Sequence, residues 1–244
     1  MAQLRMDEVT LTGEAAGPRL FVEEWAASHG SPYLVTPGEV EEEAQLVEDG
    51  DRLVRHAPPP EPLRAGETLT FVDGVRRGEG VLYHEAADGT LVRGVAGAHA
   101  CGAVACRAGA GAAFADARVR RMVIWGCGAA LPLPPVEGGF SWESHATAGA
   151  DPNAPFADLQ DRMRDGKVRL AEDLARAGHL VVLDGPLFFR RPPDLPVAGY
   201  VKTHSVRHLP AHHHARVPEL GAGERTSMFV LSRNRYSCYL RVAR

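Results

Sequence analysis

Two short segments of this chain share a form. Phe71-Val72-Asp73-Gly74 and Val182-Leu183-Asp184-Gly185 each set an aspartate at the end of an apolar run, with glycine next. A carboxylate at the end of a strand is held by a rigid element, and the glycine beside it lets a ligand or an ion come close to the backbone. The plain alternative is that Asp-Gly merely turns the chain. Two such sites at the ends of core strands point further, because side-by-side strands would make the carboxylates converge on one edge of a sheet. Like charges brought together are costly unless a cation neutralises them. Oxygen-only ligands favour magnesium or manganese over zinc. Hydrolysis of a phosphodiester is the chemistry that carboxylate-bound divalent ions perform, by clamping the attacking and leaving oxygens.

A third acid is expected in such a site, and Glu143, Asp161, Asp165 and Glu172 are the candidates. The helix preceding the Asp184 strand ends near Gly178 and runs back over the sheet. A five-residue strand covers roughly 16 Å at about 3.3 Å per residue. The same distance along a helix, at about 1.5 Å per residue, takes about eleven residues and reaches 165–168. Asp165 is therefore level with the site and Glu172 too far down, although Asp165-Gly166 also reads as a break or cap in the helix.

The chain has only two lysines, Lys167 and Lys202, against a background of arginine. A lysine that has not become arginine suggests a need for a compact ammonium, for which the planar guanidinium is no equivalent. Lys202 follows the strand-like run Val197–Val201 and precedes Thr203 and His204. It is expected at the same sheet edge, binding a scissile phosphate or helping the attacking water; the alternative is a solvent-facing strand end. Arg76 and Arg77, directly after Asp73, are expected beside phosphates. With Lys202 and His204 they make up the expected nucleic-acid contacts. The run His212-His213-His214 lacks Cys or acid partners at ligand spacing and reads as a solvated loop.

These residues need elements to position them. Thr68–Asp73, Gly80–His84 and Thr90–Val95 read as three strands of a meander, the last two joined by an Asp88-Gly89 turn. Ala98–Ala117, rich in Ala and Gly, fits either a buried strand or a closely packed helix. Val119–Trp125 reads as a strand and Ala129–Asp151 as a long connection. Phe156, Leu159, Met163, Leu170 and Leu174 recur at helical spacing, with Pro155 suited to a first turn and Gly178 to a stop. Leu180–Leu183 is the form of a buried strand, and Ser227–Leu231 with Tyr236–Val242 reads as a hairpin around Asn234. Leu20–Ser28 allows a short helix. An α/β fold follows, with a mixed sheet and flanking helices.

At 244 residues, 45% of them hydrophobic and 24% charged, the chain has the balance of a globular protein. No apolar stretch is long enough to span a bilayer, and Met1–Glu8 carries charges where a signal peptide would be apolar. A cytoplasmic protein with no membrane partner is expected. Cys101, Cys106, Cys127 and Cys238 fit neither a redox pair nor a zinc ribbon, so reduced, mostly buried thiols are expected. The net charge of −4 does not by itself call for nucleic acid, but the charges are sorted. The first 60 residues are acidic, whereas Lys202–Arg244 is basic and rich in histidine. The breaker run from Ala57 to Pro62 suggests an acidic segment over 1–62 and one domain over 63–244.

The order FVDGVRR, a helix, LVVLDGPL and VAGYVKTH resembles the NurA nucleases and the NurA-like proteins of bacteria, over about residues 66–204. The resemblance implies a ribonuclease H-like fold and manganese-dependent (or magnesium-dependent) cleavage of DNA in end processing or repair. For NurA proteins proper it also implies partnership with the hexameric HerA translocase, and a homodimer is compatible with it. Asp73 and Asp184 match the family's metal-binding aspartates. Its helical glutamate has no clean counterpart, since the corresponding region holds Asp165 and Lys167. The family also carries functional residues in a segment beyond the last hairpin, which this chain is expected to lack. Two functions are therefore expected: a nuclease in which Asp73, Asp184 and Asp165 hold the metal and Lys202 assists, or a non-catalytic module of the same fold that binds DNA or a translocase.

Overall fold

The structure is a computed structural model that describes residues 19–24, 28–29, 44–58, 66–86, 88–128, 130–133, 141–148, 151–187, 194–202, 208–231 and 235–242. In chain order its elements are β1 (Arg19–Glu24), β2 (Ser28–His29), β3 (Gln45–Leu46), β4 (Arg55–His56), β5 (Thr68–Glu85), β6 (Leu91–Arg107), β7 (Gly111–Trp125) and β8 (Glu143–Ala146). They continue with α1 (Ala154–Arg176), β9 (Leu180–Asp184), β10 (Val197–Tyr200), α2 (Ala211–His214), β11 (Arg225–Thr226), β12 (Phe229–Leu231) and β13 (Arg235–Ser237). The architecture is mixed α/β. Among the described residues no helix is long and apolar enough to cross a membrane.

The chain forms two compact units, each made of three separate stretches of chain. One unit comprises Met1–His29, Arg77–Ala98 and Arg120–Gln160; the other comprises Gly30–Arg76, His99–Val119 and Asp161–Arg244. The breaker run expected to bound the acidic segment lies largely outside the described residues.

In the second unit the sheet order is β10-β9-β5-β6-β7. β9 lies parallel to both β5 and β10. Val72, Cys101, Ala103, Val181 and Leu183 from the strands bury against Leu170, Ala171 and Ala175 of α1. A second core in this unit gathers Ala44, Leu53, Leu209 and Phe229. Around it β3 and β13 both pair with β12, and β4 pairs with β11. The expected hairpin around Asn234 is thus β12 and β13, and residues 44–56 of the acidic segment are built into the same small sheets. In the first unit β1 and β2 pair antiparallel with β5, and β8 lies parallel to β7. Its cores are Leu82, Ala96, Val123 and Trp125, and Met122, Ile124 and Leu159.

α1 ends as the sequence suggests. Gly178 takes φ 90°, and the His179 N–H reaches the Leu174 carbonyl at 3.1 Å, a Schellman stop. The helix does not break at Asp165-Gly166. A Cβ on Gly166 would lie 2.9 Å from Cys101 Sγ, so this glycine serves close packing of helix on sheet.

Two expectations are corrected and one open reading is decided. β5 is one strand from Thr68 to Glu85, where two were expected. The ambiguous stretch from Ala98 to Ala117 is strand on both sides of a turn at residues 108–110, and the Leu20–Ser28 region gives β1 and β2 rather than a helix. In β6 glycines obscured the strand pattern, because their place is set by neighbours: a Cβ at Gly94 would lie 2.5 Å from the Trp125 ring, and one at Gly97 2.6 Å from Leu159. The cysteines differ too. All four are free, yet Cys101 alone is buried and Cys127 is exposed.

Candidate functional site

Parallel pairing brings the two aspartates together. β5 and β9 pair in the register Leu69↔Leu180, Thr70↔Val181, Phe71↔Val182 and Val72↔Leu183. One residue on, Asp73 stands beside Asp184 and Gly74 beside Gly185, on strands about 4.8 Å apart. β10 flanks β9 with Tyr200 level with Asp184, and the Gly185 N–H donates to the Tyr200 carbonyl at 2.9 Å. Val72 and Leu183 are buried under α1. Strand alternation therefore sends the Asp73 and Asp184 side chains to the opposite face.

On that face Lys202 Nζ lies 3.1 Å from Asp184 Oδ1, the lysine side chain 60% exposed and the aspartate 34%. The hydrogen bond to Asp184 and the charges of Asp184 and Asp73 push the Lys202 ammonium above its usual pKa. Lys202 is therefore a positive charge in the field of both acids. Asp73 is exposed, and its Oδ1 accepts from the Gly74 N–H at 2.6 Å.

The helix face of the same turn holds a residue that sequence reasoning passed over. Lys167 Nζ donates to the backbone carbonyl of Asp184 at 2.7 Å. Its stem runs where a side chain on Gly74 would be: a Cβ there would lie 2.8 Å from Lys167 Cγ and Cδ and 2.6 Å from Met163 Sδ. Gly185, at φ 98°, leaves Lys167 Nζ 4.0 Å from its own Cβ position. Gly74 makes room for the chain's own lysine, whereas Gly185 answers to its positive φ. Both lysines of the chain thus meet Asp184, one at its carboxylate and one at its carbonyl. The scarcity argument that singled out Lys202 applied equally to Lys167.

The expected third acid stands elsewhere. Asp165 is exposed. At about 100° per residue it lies about 200° around α1 from both Met163 and Lys167, which face the sheet. The estimate of level reached the correct turn, but the helix presents Lys167 there. The other candidates are engaged locally: Asp161 with Arg164 at 3.1 Å, Glu172 with Arg176 at 2.8 Å, and Glu143 with His145 at 3.0 Å.

Of the expected phosphate contacts, Arg76 is part-buried; burial, with the nearby charge of Arg164, lowers its pKa. Arg77 is exposed and, as the next residue of β5, points to the opposite face from Arg76. His204 lies outside the described residues. The histidine run forms α2 instead of a loop, with His214 edge-on to Tyr239 at 5.7 Å.

A different cluster escaped the sequence reading. Glu48, Asp49 and His56 bring three ligand-type atoms within 4.8 Å of one another, the one such group among the described residues. Its oxygens already have partners. Arg225 forks onto Glu48 at 2.7 and 2.9 Å, and the Met228 N–H adds a bond at 2.9 Å. The Arg225 bonds, then that of Met228, hold Glu48 down at about 2. Asp49 accepts from the Ser227 hydroxyl at 2.6 Å and from His56 at 2.8 Å. The cluster ties residues 48–56 to 225–228. Apart from His56, the partners of Glu48 and Asp49 were not visible in sequence because they lie more than 170 residues away.

Comparison with protein-family models and with curated proteins returns no match to this chain. What the arrangement at Asp73 and Asp184 can do chemically follows from its own groups: two neighbouring carboxylates open to solvent on one face, with an ammonium already drawn to one of them.

Proposed function

We propose that the chain is a metal-dependent deoxyribonuclease, NurA-like and of the ribonuclease H-like class. One observation carries the reading: Asp184 ends β9 and, continuing the parallel register of β9 with β5, falls beside Asp73 inside β5, with Lys202 ion-paired to Asp184. The strand order, with β9 parallel to β5 and β10 beyond it, supports the fold assignment. The residues fit a divalent cation, since the Lys202 ammonium at 3.1 Å marks a place where a cation is stabilised by this pair of acids. Asp73 and Asp184 would hold manganese or magnesium, which supplies Lewis-acid polarisation and an activated water.

Lys202, kept protonated by the acids, acts as a hydrogen-bond donor and counter-charge to a non-bridging phosphate oxygen. It is not a base for the attacking water, because a raised pKa leaves no free amine near neutral pH. Arg77 and His204 are proposed contacts to the DNA backbone, as is Arg76 from the other side of its strand. Partnership with a HerA-like hexameric translocase, and a homodimer, belong to this reading through the motif resemblance alone.

A second reading has an observation of its own. Lys167 occupies the turn of α1 where a third acid was sought, as in a non-catalytic module that binds DNA or a translocase. Assaying DNA cleavage with manganese, with magnesium and with chelator separates the two. The nuclease reading expects metal-dependent cleavage that Asp73→Asn abolishes; DNA binding without any cleavage would establish the module instead.

A further inference from the structure

We infer that the site takes one divalent cation and no second, with Lys167 as the positioning residue that sets this limit; the inference rests on the nuclease reading above. Asp184 is bracketed by ammonium groups on both faces of the sheet. Lys202 sits on its carboxylate at 3.1 Å and Lys167 on its carbonyl at 2.7 Å. With Asp73, the two acids and the two ammoniums cancel. A neutral frame of this kind accommodates one divalent ion together with a phosphodiester anion. A second divalent ion would add two more positive charges, and among the described residues the acids of α1 do not meet them, since Asp165 faces away and Glu172 is paired with Arg176.

Lys167 cannot swing aside as Lys202 can. Its stem fills the groove left by Gly74 and its head is capped by the Asp184 carbonyl, whereas Lys202 is largely exposed. Its charge is therefore permanent at the turn. It lowers the affinity of any cation at Asp184 while fixing the turn that aims the carboxylate.

The test is manganese stoichiometry on the full chain, read from the electron paramagnetic resonance signal of free Mn2+ during titration. The wild type is expected to bind one ion, lost in Asp73→Asn. Lys167→Met, which keeps the stem and removes the charge, is expected to bind that ion at least about threefold more tightly. Circular dichroism of each variant checks folding. Two ions in the wild type, both lost in Asp73→Asn, overturn this inference and leave the nuclease reading standing. No ion in the wild type overturns both. Folded Lys167→Met with unchanged affinity removes Lys167 from any role at the cation.

Discussion

The second unit holds two acidic groups of similar make-up and opposite condition. At Glu48, Asp49 and His56 the oxygens are taken by Arg225, Ser227, Met228 and His56, donors supplied by the fold itself. At Asp73 and Asp184 the carboxylates stand on an open face, and the one side chain seen on Asp184 is a largely exposed lysine. The first group has the look of a metal site by proximity and is a structural clamp by chemistry. The second is looser and leaves oxygens for a ligand. Whether an acidic cluster is a site depends on how much of its hydrogen-bonding capacity the protein has already used.

The largest expected effect that could break this contrast is at Asp184. Asp184→Asn should lower manganese-dependent cleavage by more than about 100-fold with the circular dichroism spectrum unchanged, since an amide brings no charge to the metal and even outer-shell partners are worth 10–100-fold. Cleavage that survives the change would place the chemistry elsewhere. The next tests the clamp. Ser227 is fully buried, and its hydroxyl both donates to Asp49 and accepts from the Val54 N–H at 2.8 Å. Ser227→Ala should cost about 1–3 kcal/mol in urea unfolding, the penalty for orphaned buried groups, and leave manganese binding as it was. A weakened metal site in that variant would merge the two regions.

A smaller effect is expected with acid. Glu48 is held at about 2 against an ordinary 4.5, so its contribution to stability is complete above the higher value. It is lost as pH falls from about 4.5 through about 2. Asp49, lowered by Ser227 and then His56, acts in the same direction. Glu48→Gln should therefore flatten the acid limb of a melting-temperature profile, and a profile parallel to wild type across that window would show that the Arg225 fork adds no stability. The smallest effect is at Asp165. Asp165→Ala should change neither manganese affinity nor melting temperature measurably, because the side chain is exposed on the far side of α1. A clear loss of affinity would restore it as the third ligand.

Several parts of this protein were legible in the chain alone. The Asp184-Gly185 strand end, the helix spaced on Leu159, Met163, Leu170 and Leu174, its Gly178 stop and the Asp88-Gly89 turn all rest on local rules: alternation, 3.6-residue spacing and the backbone freedom of glycine. The Thr90 N–H does reach Asp88 Oδ1 at 2.9 Å, as such a turn requires. Local rules fail where a residue answers to a neighbour far along the chain. Gly74 reads as a turn and lies inside a strand, because Met163 and Lys167 need its space. Asp165 and Lys167 are both level with the site, and two residues separate opposite faces of a helix; only packing sets the rotation that turns Lys167 inward. The acids were determined by sequence pattern, since a strand end is a local event. The cations that govern them were decided by tertiary structure, because a hydrogen bond such as that of Lys167 to the Asp184 carbonyl depends on where two elements are placed against each other.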